Sequence, residues 1–130
     1  MNEKEKLQQK AGEIADKYVL RTAVLFGSRA RGDHNAHSDY DIGIVTENPL
    51  SPLEVAGISS VFSQHIGAEV EVSQIMQMSP LYQKNVVEEG ILLYECEEGY
   101  FDRLAVYIYN LYRESLPFLR MRHEQLFGVK

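Results

Sequence analysis

The strongest constraint on the fold is the order of two apolar runs and the polar segment between them. Residues 19–26 are largely apolar and β-branched, which predicts a strand buried on both faces. That run leads directly into Gly27 and Ser28, and a second apolar run begins at Tyr40. The polar residues in between leave room for at most one turn of helix. We therefore expect two neighbouring strands, with a small-residue turn at the end of the first.

The second strand, 40–46, alternates, and its phase decides where its acidic residues point. Alternation places Asp39 and Asp41 on the same face, with α-carbons about 6.5–7 Å apart. Two carboxylates so placed can hold one or two divalent cations, whereas unpaired they would repel each other. From these two residues alone the alternative stays open that Asp39 caps a turn and Asp41 is solvated at the end of the strand.

The turn at Gly27 and Ser28 has the chemistry to approach a phosphate. Glycine lets backbone come close to phosphate oxygens, and the serine hydroxyl and the following amides can donate to them. Arg29 and Arg31 can add charge-assisted hydrogen bonds. A tight turn followed by surface arginines is the alternative. The segment is not a P-loop, because no Gly-Lys-Ser/Thr follows it.

The rest of the chain alternates helices and strands, which predicts an α/β fold with one mixed sheet of four or five strands flanked by helices. The predicted elements are a helix over 2–17, a helix from Ser51-Pro52 to Gly67, a strand over 68–74, a helix from Ser79-Pro80 to Gly90 that buries Tyr82 and Val86, a strand over 91–94, and a helix from about Phe101 to Leu116 that Pro117 ends or kinks. We expect a single domain over 1–130, with 97–130 as a C-terminal helical extension.

Composition and charge restrict the location and the partners. The chain carries one cysteine, no apolar leader after Met1 and no long uncharged apolar stretch, so we expect a cytoplasmic protein without membrane contact. The net charge is −6, with 16 acidic against 8 basic residues over 1–100. Affinity for nucleic acid comes mainly from Lys and Arg on phosphates, so direct nucleic-acid binding is not expected.

The last helix is apolar nearly all round, and Tyr107, Tyr109 and Tyr112 cannot all face one core. Such a helix is either wholly buried or shared with a partner, and tyrosine enrichment suits an interface. We predict a partner interface at these three tyrosines, and a helix packed under the sheet with a wet tyrosine fringe stays open as the alternative.

Together these motifs resemble a known signature. A strand ending in Gly27-Ser28, the spacer 29–38, and Asp39-Tyr40-Asp41 opening an alternating strand resemble the DNA polymerase β-like nucleotidyltransferases. The resemblance implies that Gly27 and Ser28 hold a triphosphate and that Asp39 and Asp41 bind Mg²⁺. It also implies a third carboxylate on a later strand, as Mg²⁺ ligand or catalytic base. Glu71, between two valines, occupies that place, with Glu69 as the second choice and glutamate replacing the family's usual aspartate.

The whole chain, and Gly-Ser-Arg-Ala-Arg-Gly-Asp with Ser-Asp-Tyr-Asp-Ile-Gly in particular, resembles the minimal nucleotidyltransferase (MNT) antitoxins of HEPN–MNT toxin–antitoxin pairs. That resemblance implies an adenylyltransferase that binds a HEPN-domain ribonuclease toxin and silences it by moving AMP from ATP to a toxin tyrosine (AMPylation). A small-molecule nucleotidyltransferase, such as an aminoglycoside-modifying one, and an antitoxin acting by binding alone remain alternatives. The acidic charge and the lack of further subdomains disfavour a nucleic-acid polymerase.

Overall fold

Helices and strands alternate along the chain. The structure is a computed structural model that describes residues 1–127, without the side chains of Leu119 and Phe127. Its elements are α1 (Glu3–Tyr18), β1 (Leu20–Phe26), α2 (Ser28–Arg31), β2 (Tyr40–Thr46), α3 (Pro52–Ile66), β3 (Val70–Gln74), a 3-10 turn (Ile75–Gln77), α4 (Pro80–Glu89), β4 (Ile91–Glu95) and α5 (Tyr100–Phe127).

The four strands form one mixed sheet in the order β3-β2-β1-β4. β1 pairs antiparallel with β2 and with β4, whereas β2 and β3 run parallel. The predicted α/β fold with a mixed sheet is confirmed. β1 lies in the interior of the sheet, and five of its seven residues are buried, which agrees with the continuous apolar character of its sequence.

The sheet has two faces that differ in their cover. On one face, which we call the closed face, α1 and α3 bury a continuous apolar layer that includes Leu7, Ile42, Ile58 and Phe62. On the other, which we call the site face, α4 and α5 cover a smaller cluster of Val24, Val45, Ile75, Val86, Val87, Leu104 and Ile108. Strand residues alternate between these two layers.

Local chemistry sets the ends of α3, as predicted. The Ser51 hydroxyl accepts a hydrogen bond from the Glu54 amide at 3.2 Å, and the Glu54 carboxylate accepts one from the Ser51 amide at 3.0 Å. This capping box, with Pro52 in the first turn, begins the helix. Gly67, with φ of 69°, ends it in the left-handed region.

Serines of α3 close the outer edge of β3. The Val70 amide donates to Oγ of Ser63 at 3.0 Å, and the Val72 amide donates to Oγ of Ser59 at 3.1 Å. These two amides point away from β2, so without the serines they would be unpaired edge donors. The same contacts fix β3 against α3.

Two predictions about the helices were wrong. In α4, Tyr82 is 64% exposed, and Gln83 is buried with Val86 and Val87. The Gln83 amide nitrogen donates to the Ile75 carbonyl at 3.0 Å, which satisfies a polar side chain inside the core.

The final helix does not end near Leu116 but continues through Pro117 to Phe127. Proline removes one helical hydrogen bond, to the carbonyl four residues earlier. That residue, Arg113, is exposed, so water can satisfy its carbonyl. The predicted extension over 97–130 therefore consists mainly of α5, and its last three residues lie outside the described ones. Within residues 1–127, none of the helices combines the length and the apolar character required to cross a membrane.

Candidate active site

The Gly27 turn lies directly against the Asp41 carboxylate. In the antiparallel pair of β1 and β2, Phe26 is opposite Asp41, so the chain turns at Gly27 beside that residue. A Cβ built on Gly27 would lie 2.6 Å from Oδ2 of Asp41. Gly27 also has φ of 74° and ψ of −158°, a conformation almost restricted to glycine. Both the backbone angle and the neighbouring carboxylate therefore require glycine here.

A second carboxylate stands beside Asp41 on the next strand. In the parallel pair of β2 and β3, Asp41 is in register with Glu71, and Tyr40 with Val70. Because registered residues of adjacent strands point to the same face, both carboxylates lie on the site face. Asp39 comes just before β2 and has an exposed side chain. Its neighbour Tyr40 donates its amide proton to the Glu69 carbonyl at 3.1 Å.

The electrostatics confirm that these carboxylates are near one another. Burial raises the pKa of Asp41, and the negative charges of Glu71 and Asp39 raise it further, while Arg31 opposes the shift. Like charges facing each other at a half-buried position are unfavourable unless a cation neutralises them. Carboxylate oxygens are also the donors that Mg²⁺ prefers. The residues present therefore fit a Mg²⁺ site.

The site is not closed around a metal position in this conformation. Among residues 1–127, no three His, Cys, Asp or Glu side chains are grouped closely enough to hold an ion. Asp39 and Glu71 are both exposed, so their side chains have room to rotate towards the half-buried Asp41. The strands therefore hold the backbone of the three acidic residues in place, and the side chains of Asp39 and Glu71 would have to rotate to share an ion with Asp41.

The two arginines after the turn have different contacts. Arg29 donates from Nε and Nη2 to the Ser38 carbonyl, at 3.2 and 3.0 Å, and its Cζ lies 4.3 Å from the centroid of the Tyr40 ring. Arg31 forms ion pairs with Asp33 at 3.1 Å and with Glu89 of α4 at 3.0 Å. A phosphate contact stays a prediction for both, and for Arg29 the observed partners already occupy two of its three nitrogens.

A cleft of about 550 Å³ opens beside the carboxylates, between β3 and α3. Its polar lining consists of Asp39, Glu69, Glu71, Ser59, Ser60 and Ser63. Sequence reasoning missed the serines. The available signal was their position, since Ser59 and Ser63 are four residues apart and therefore share one side of α3.

Residues 9–99 match the family model described as Polymerase beta, Nucleotidyltransferase. The match covers well over half of the 130 residues and includes Gly27, Asp39, Asp41 and Glu71. This chain belongs to the polymerase β nucleotidyltransferase family. The resemblance predicted from the two motifs is confirmed.

Individual relatives of this nucleotidyltransferase carry more specific names. "Protein adenylyltransferase MntA" of Aphanizomenon flos-aquae is 30% identical over 94 residues, which span 65% of this chain and 63% of the relative's own length. One chain of a crystal structure of a toxin–antitoxin with AMP-PNP superposes with a TM-score of 0.76 at 18% identity, covering 93% of this chain and 95% of that one.

A chain from the complex of tri-AMPylated Shewanella oneidensis HEPN toxin with MNT antitoxin gives a TM-score of 0.71 at 16% identity, covering 96% of both chains. At these identities, the two structures show that the fold is shared.

The three tyrosines of the nucleotidyltransferase's last helix differ in their surroundings. Tyr107 is 52% exposed. The Tyr109 hydroxyl donates to Glu88 of α4 at 2.8 Å, and this hydrogen bond raises the pKa of Tyr109. The Tyr112 ring lies under the ammonium of Lys84, 5.2 Å from its centroid. Tyr107 alone of the three is more than half exposed, whereas Tyr109 and Tyr112 pack on α4.

Proposed function

We propose that this nucleotidyltransferase moves AMP from ATP to a tyrosine of a HEPN-family toxin and thereby acts as its antitoxin. The observation that carries the proposal is the contact of Gly27 with the Asp41 carboxylate, in register with Glu71. A turn able to approach phosphate and carboxylates able to hold a cation thus share one end of the sheet. The name of the Aphanizomenon relative supports the transfer of AMP to protein, and the toxin–antitoxin complexes of the same fold support the partner.

We assign the carboxylates Asp39, Asp41 and Glu71 to Mg²⁺. When bound, this ion would neutralise triphosphate charge and acidify the acceptor hydroxyl. Gly27 and Ser28 would bind the triphosphate through backbone amides and the serine hydroxyl. Arg31 is next to the turn, and its positive charge already acts on Asp41. It would add a charge-assisted contact once it leaves Glu89.

The reaction is a single in-line displacement. The tyrosine oxygen attacks the α-phosphorus of ATP and forms a new P–O bond. The bond between the α-phosphorus and the oxygen bridging to the β-phosphate breaks, and pyrophosphate leaves with that electron pair. The tyrosine proton passes to a carboxylate, and Glu71, which lines the cleft beside Asp39, would take this role where Asp39 and Asp41 alone hold the ion. The enzyme forms no covalent intermediate and works by placement and charge.

The partner would dock on the exposed surface of α5. Apolar side chains there are 39–65% exposed, namely Val106, Tyr107, Leu116, Phe118, Met121 and Leu126. A toxin that cleaves RNA must itself attract phosphate, so its positive surface would be drawn to residues 1–100, which carry 16 acidic against 8 basic side chains, and apolar contacts would make the docking on α5. Of the three predicted interface tyrosines, we place Tyr107 at the centre, because its side chain is 52% exposed and aromatic residues are enriched at such positions.

Transfer is tested by incubating the protein with Mg²⁺, α-labelled ATP and a candidate HEPN partner, and following intact masses. We expect the partner to gain AMP in whole steps, and the double variant Asp39→Asn/Asp41→Asn to abolish the gain. Asp16→Asn, which removes one carboxylate on the exposed side of α1, is the control for loss of negative charge away from the site. A tight complex without any mass gain would favour an antitoxin that acts by binding alone, and label on an aminoglycoside would favour the small-molecule enzyme.

Docking is tested separately with Tyr107→Asp, which should weaken partner binding while leaving the melting temperature unchanged, because the side chain is half exposed. Tyr109→Phe is the matched control on the same helix, since it removes only the hydroxyl bound to Glu88. Equal losses of partner affinity in the two variants would contradict the assignment of Tyr107 to the interface.

A further inference from the structure

Arg29 contacts both neighbours of a proposed metal ligand. Its Nε and Nη2 donate to the Ser38 carbonyl at 3.2 and 3.0 Å. Its guanidinium carbon lies 4.3 Å from the centroid of the Tyr40 ring, a stacking distance. Ser38 and Tyr40 are the residues immediately before and after Asp39. One side chain therefore contacts the backbone just before that carboxylate and the ring of the residue just after it.

The two sides of this contact differ in how firmly they are held. Tyr40 is 3% exposed, belongs to the apolar layer of the closed face, and donates its hydroxyl proton to Glu3 of α1. Residues 33–37, before Ser38, are exposed and make short-range contacts, such as the Asn35 amide to the Ser38 hydroxyl at 3.1 Å. Arg29 thus ties the end of an exposed loop to a buried ring.

A guanidinium is suited to this task and an ammonium is not. The planar fork can donate two parallel hydrogen bonds while its face stacks on an aromatic ring, whereas lysine offers a compact charge on a flexible stem. Tyr40 points to the closed face, and Asp41, the next residue, points to the site face. Arg29 therefore lies against the side of β2 opposite the one that carries Asp41.

We infer that Arg29 is a positioning residue for Asp39, which fixes the Asp39 backbone through Ser38 and Tyr40 and so sets where that carboxylate meets the cation. The inference rests on the proposed function, since it assigns Asp39 to Mg²⁺. It differs from the sequence-based expectation for Arg29, in which the guanidinium binds the triphosphate directly.

The test compares Arg29→Lys with the wild-type protein in two titrations. Mn²⁺ alone, added without nucleotide and followed by calorimetry, should bind about 10- to 100-fold more weakly, the usual effect of losing a residue that orients a metal ligand. In the transfer assay, kcat should fall and the Mg²⁺ concentration that gives half of the maximal rate should rise. The KM for ATP at saturating Mg²⁺ should stay the same. Unchanged Mn²⁺ affinity together with a raised KM for ATP would overturn the inference in favour of a phosphate contact.

Two further variants complete the design. Tyr40→Phe keeps the buried ring under Arg29 and removes only the hydroxyl bound to Glu3, so its Mn²⁺ affinity should fall less than that of Arg29→Lys. Arg29→Gln keeps a planar donor for the Ser38 carbonyl. Its Mn²⁺ affinity should therefore lie between that of Arg29→Lys and that of the wild-type protein. It also takes the place of Arg29→Lys if the lysine variant does not melt cooperatively. Wild-type affinity in Arg29→Gln and Arg29→Lys alike would refute the inference.

The wild-type protein separates failure of the inference from failure of the proposed function. If it binds neither Mn²⁺ nor a non-hydrolysable ATP analogue, the proposed function fails and the inference fails with it. If it binds both and transfers AMP, and Arg29→Lys behaves identically, the inference alone fails.

Discussion

The two faces of the sheet are built from the same strands but are covered differently. On the closed face, α1 and α3 bury an unbroken apolar layer that includes Ile42 and Phe62. On the site face, α4 and α5 bury a smaller cluster, and the end near Gly27 is left to the carboxylates Asp41 and Glu71. Asp41 and Ile42 are adjacent in β2, yet Asp41 lies among carboxylates on the site face and Ile42 lies in the apolar layer of the closed face.

This division separates the sources of stability and of chemistry. Burial on the closed face supplies the hydrophobic free energy that holds the sheet together. The site face can then keep the Asp41 carboxylate, whose pKa is raised by burial and further by the negative charges of Glu71 and Asp39. A raised pKa means that the ionised acid is less favourable in the folded than in the unfolded chain, so at neutral pH Asp41 costs stability. A variant on the site face should therefore lower activity and not stability, and a variant on the closed face should lower stability more than activity.

The largest effect is expected for Asp41→Asn on the site face. Transfer of AMP should fall on the order of a thousandfold, since a ligand of a catalytic metal supports several kcal/mol of transition-state stabilisation. The melting temperature should stay the same or rise, because one of three facing negative charges is removed. Rate assays and thermal unfolding of one preparation check both points. A clearly lowered melting temperature would show that the two faces are not separable at Asp41.

Phe62→Ala on the closed face should do the reverse. Phe62 is fully buried, and removing a buried aromatic ring costs about 3–5 kcal/mol of unfolding free energy. The transfer rate per folded molecule should change far less than in Asp41→Asn, because the ring packs in the apolar layer and no carboxylate is removed. Urea unfolding and rates corrected for the folded fraction measure the two quantities. Leu53→Ala, on the same helix but 83% exposed, is the control, and it should cost little.

Gly27→Ala should change both stability and nucleotide binding, because it adds one methyl group at a backbone position beside the Asp41 carboxylate. The backbone angle alone costs roughly 1–3 kcal/mol in a residue with a side chain. The new methyl would also lie 2.6 Å from Asp41 Oδ2, so affinity for an ATP analogue should fall. Gly67→Ala is the matched control. It has φ of 69° with no atom within 4 Å of a new Cβ, so it should lose stability without losing nucleotide affinity.

The smallest effect is expected for Glu89→Gln, which frees Arg31 from α4. The pair is exposed, so affinity for an ATP analogue should rise by no more than about fivefold. Calorimetric titration measures the change, and Glu98→Gln, an exposed residue after β4, controls for the lost charge. Weaker binding in Glu89→Gln would mean that Glu89 places Arg31 for the nucleotide rather than competing with it.

Much of the secondary structure could be predicted from residues that act locally in the sequence. The serine cap, proline and glycine at the ends of α3 act within a few residues, so they can be read directly. The proximity of Gly27 to Asp41 also follows locally, since β1 and β2 are consecutive antiparallel strands. The place of Glu71 opposite Asp41 depends on a parallel register across a long crossover. Spacing does not determine such a register, and family resemblance supplied Glu71.

What the sequence could not predict falls into two groups. Some contacts join residues that are distant along the chain, and in one place a helix continues through a proline. Nothing in the sequence marked Gln83 as buried, because its acceptor, the Ile75 carbonyl, belongs to another element. The phosphate contact of Arg29 stays a prediction, but nothing in the sequence pattern indicated its contacts with Ser38 and Tyr40. α5 continues past Pro117 because the lost hydrogen bond falls at an exposed carbonyl, where its cost is lowest.

The pairing of the β3 edge amides with Ser59 and Ser63 has a consequence for assembly. An incoming peptide could not extend the sheet there, because the main-chain donors that it would need are already taken. The same bonds protect the margin beside the acidic cleft from edge-to-edge aggregation. Under the proposed function, an acceptor protein would therefore reach Glu71 with a side chain inserted into the cleft and not by adding a strand.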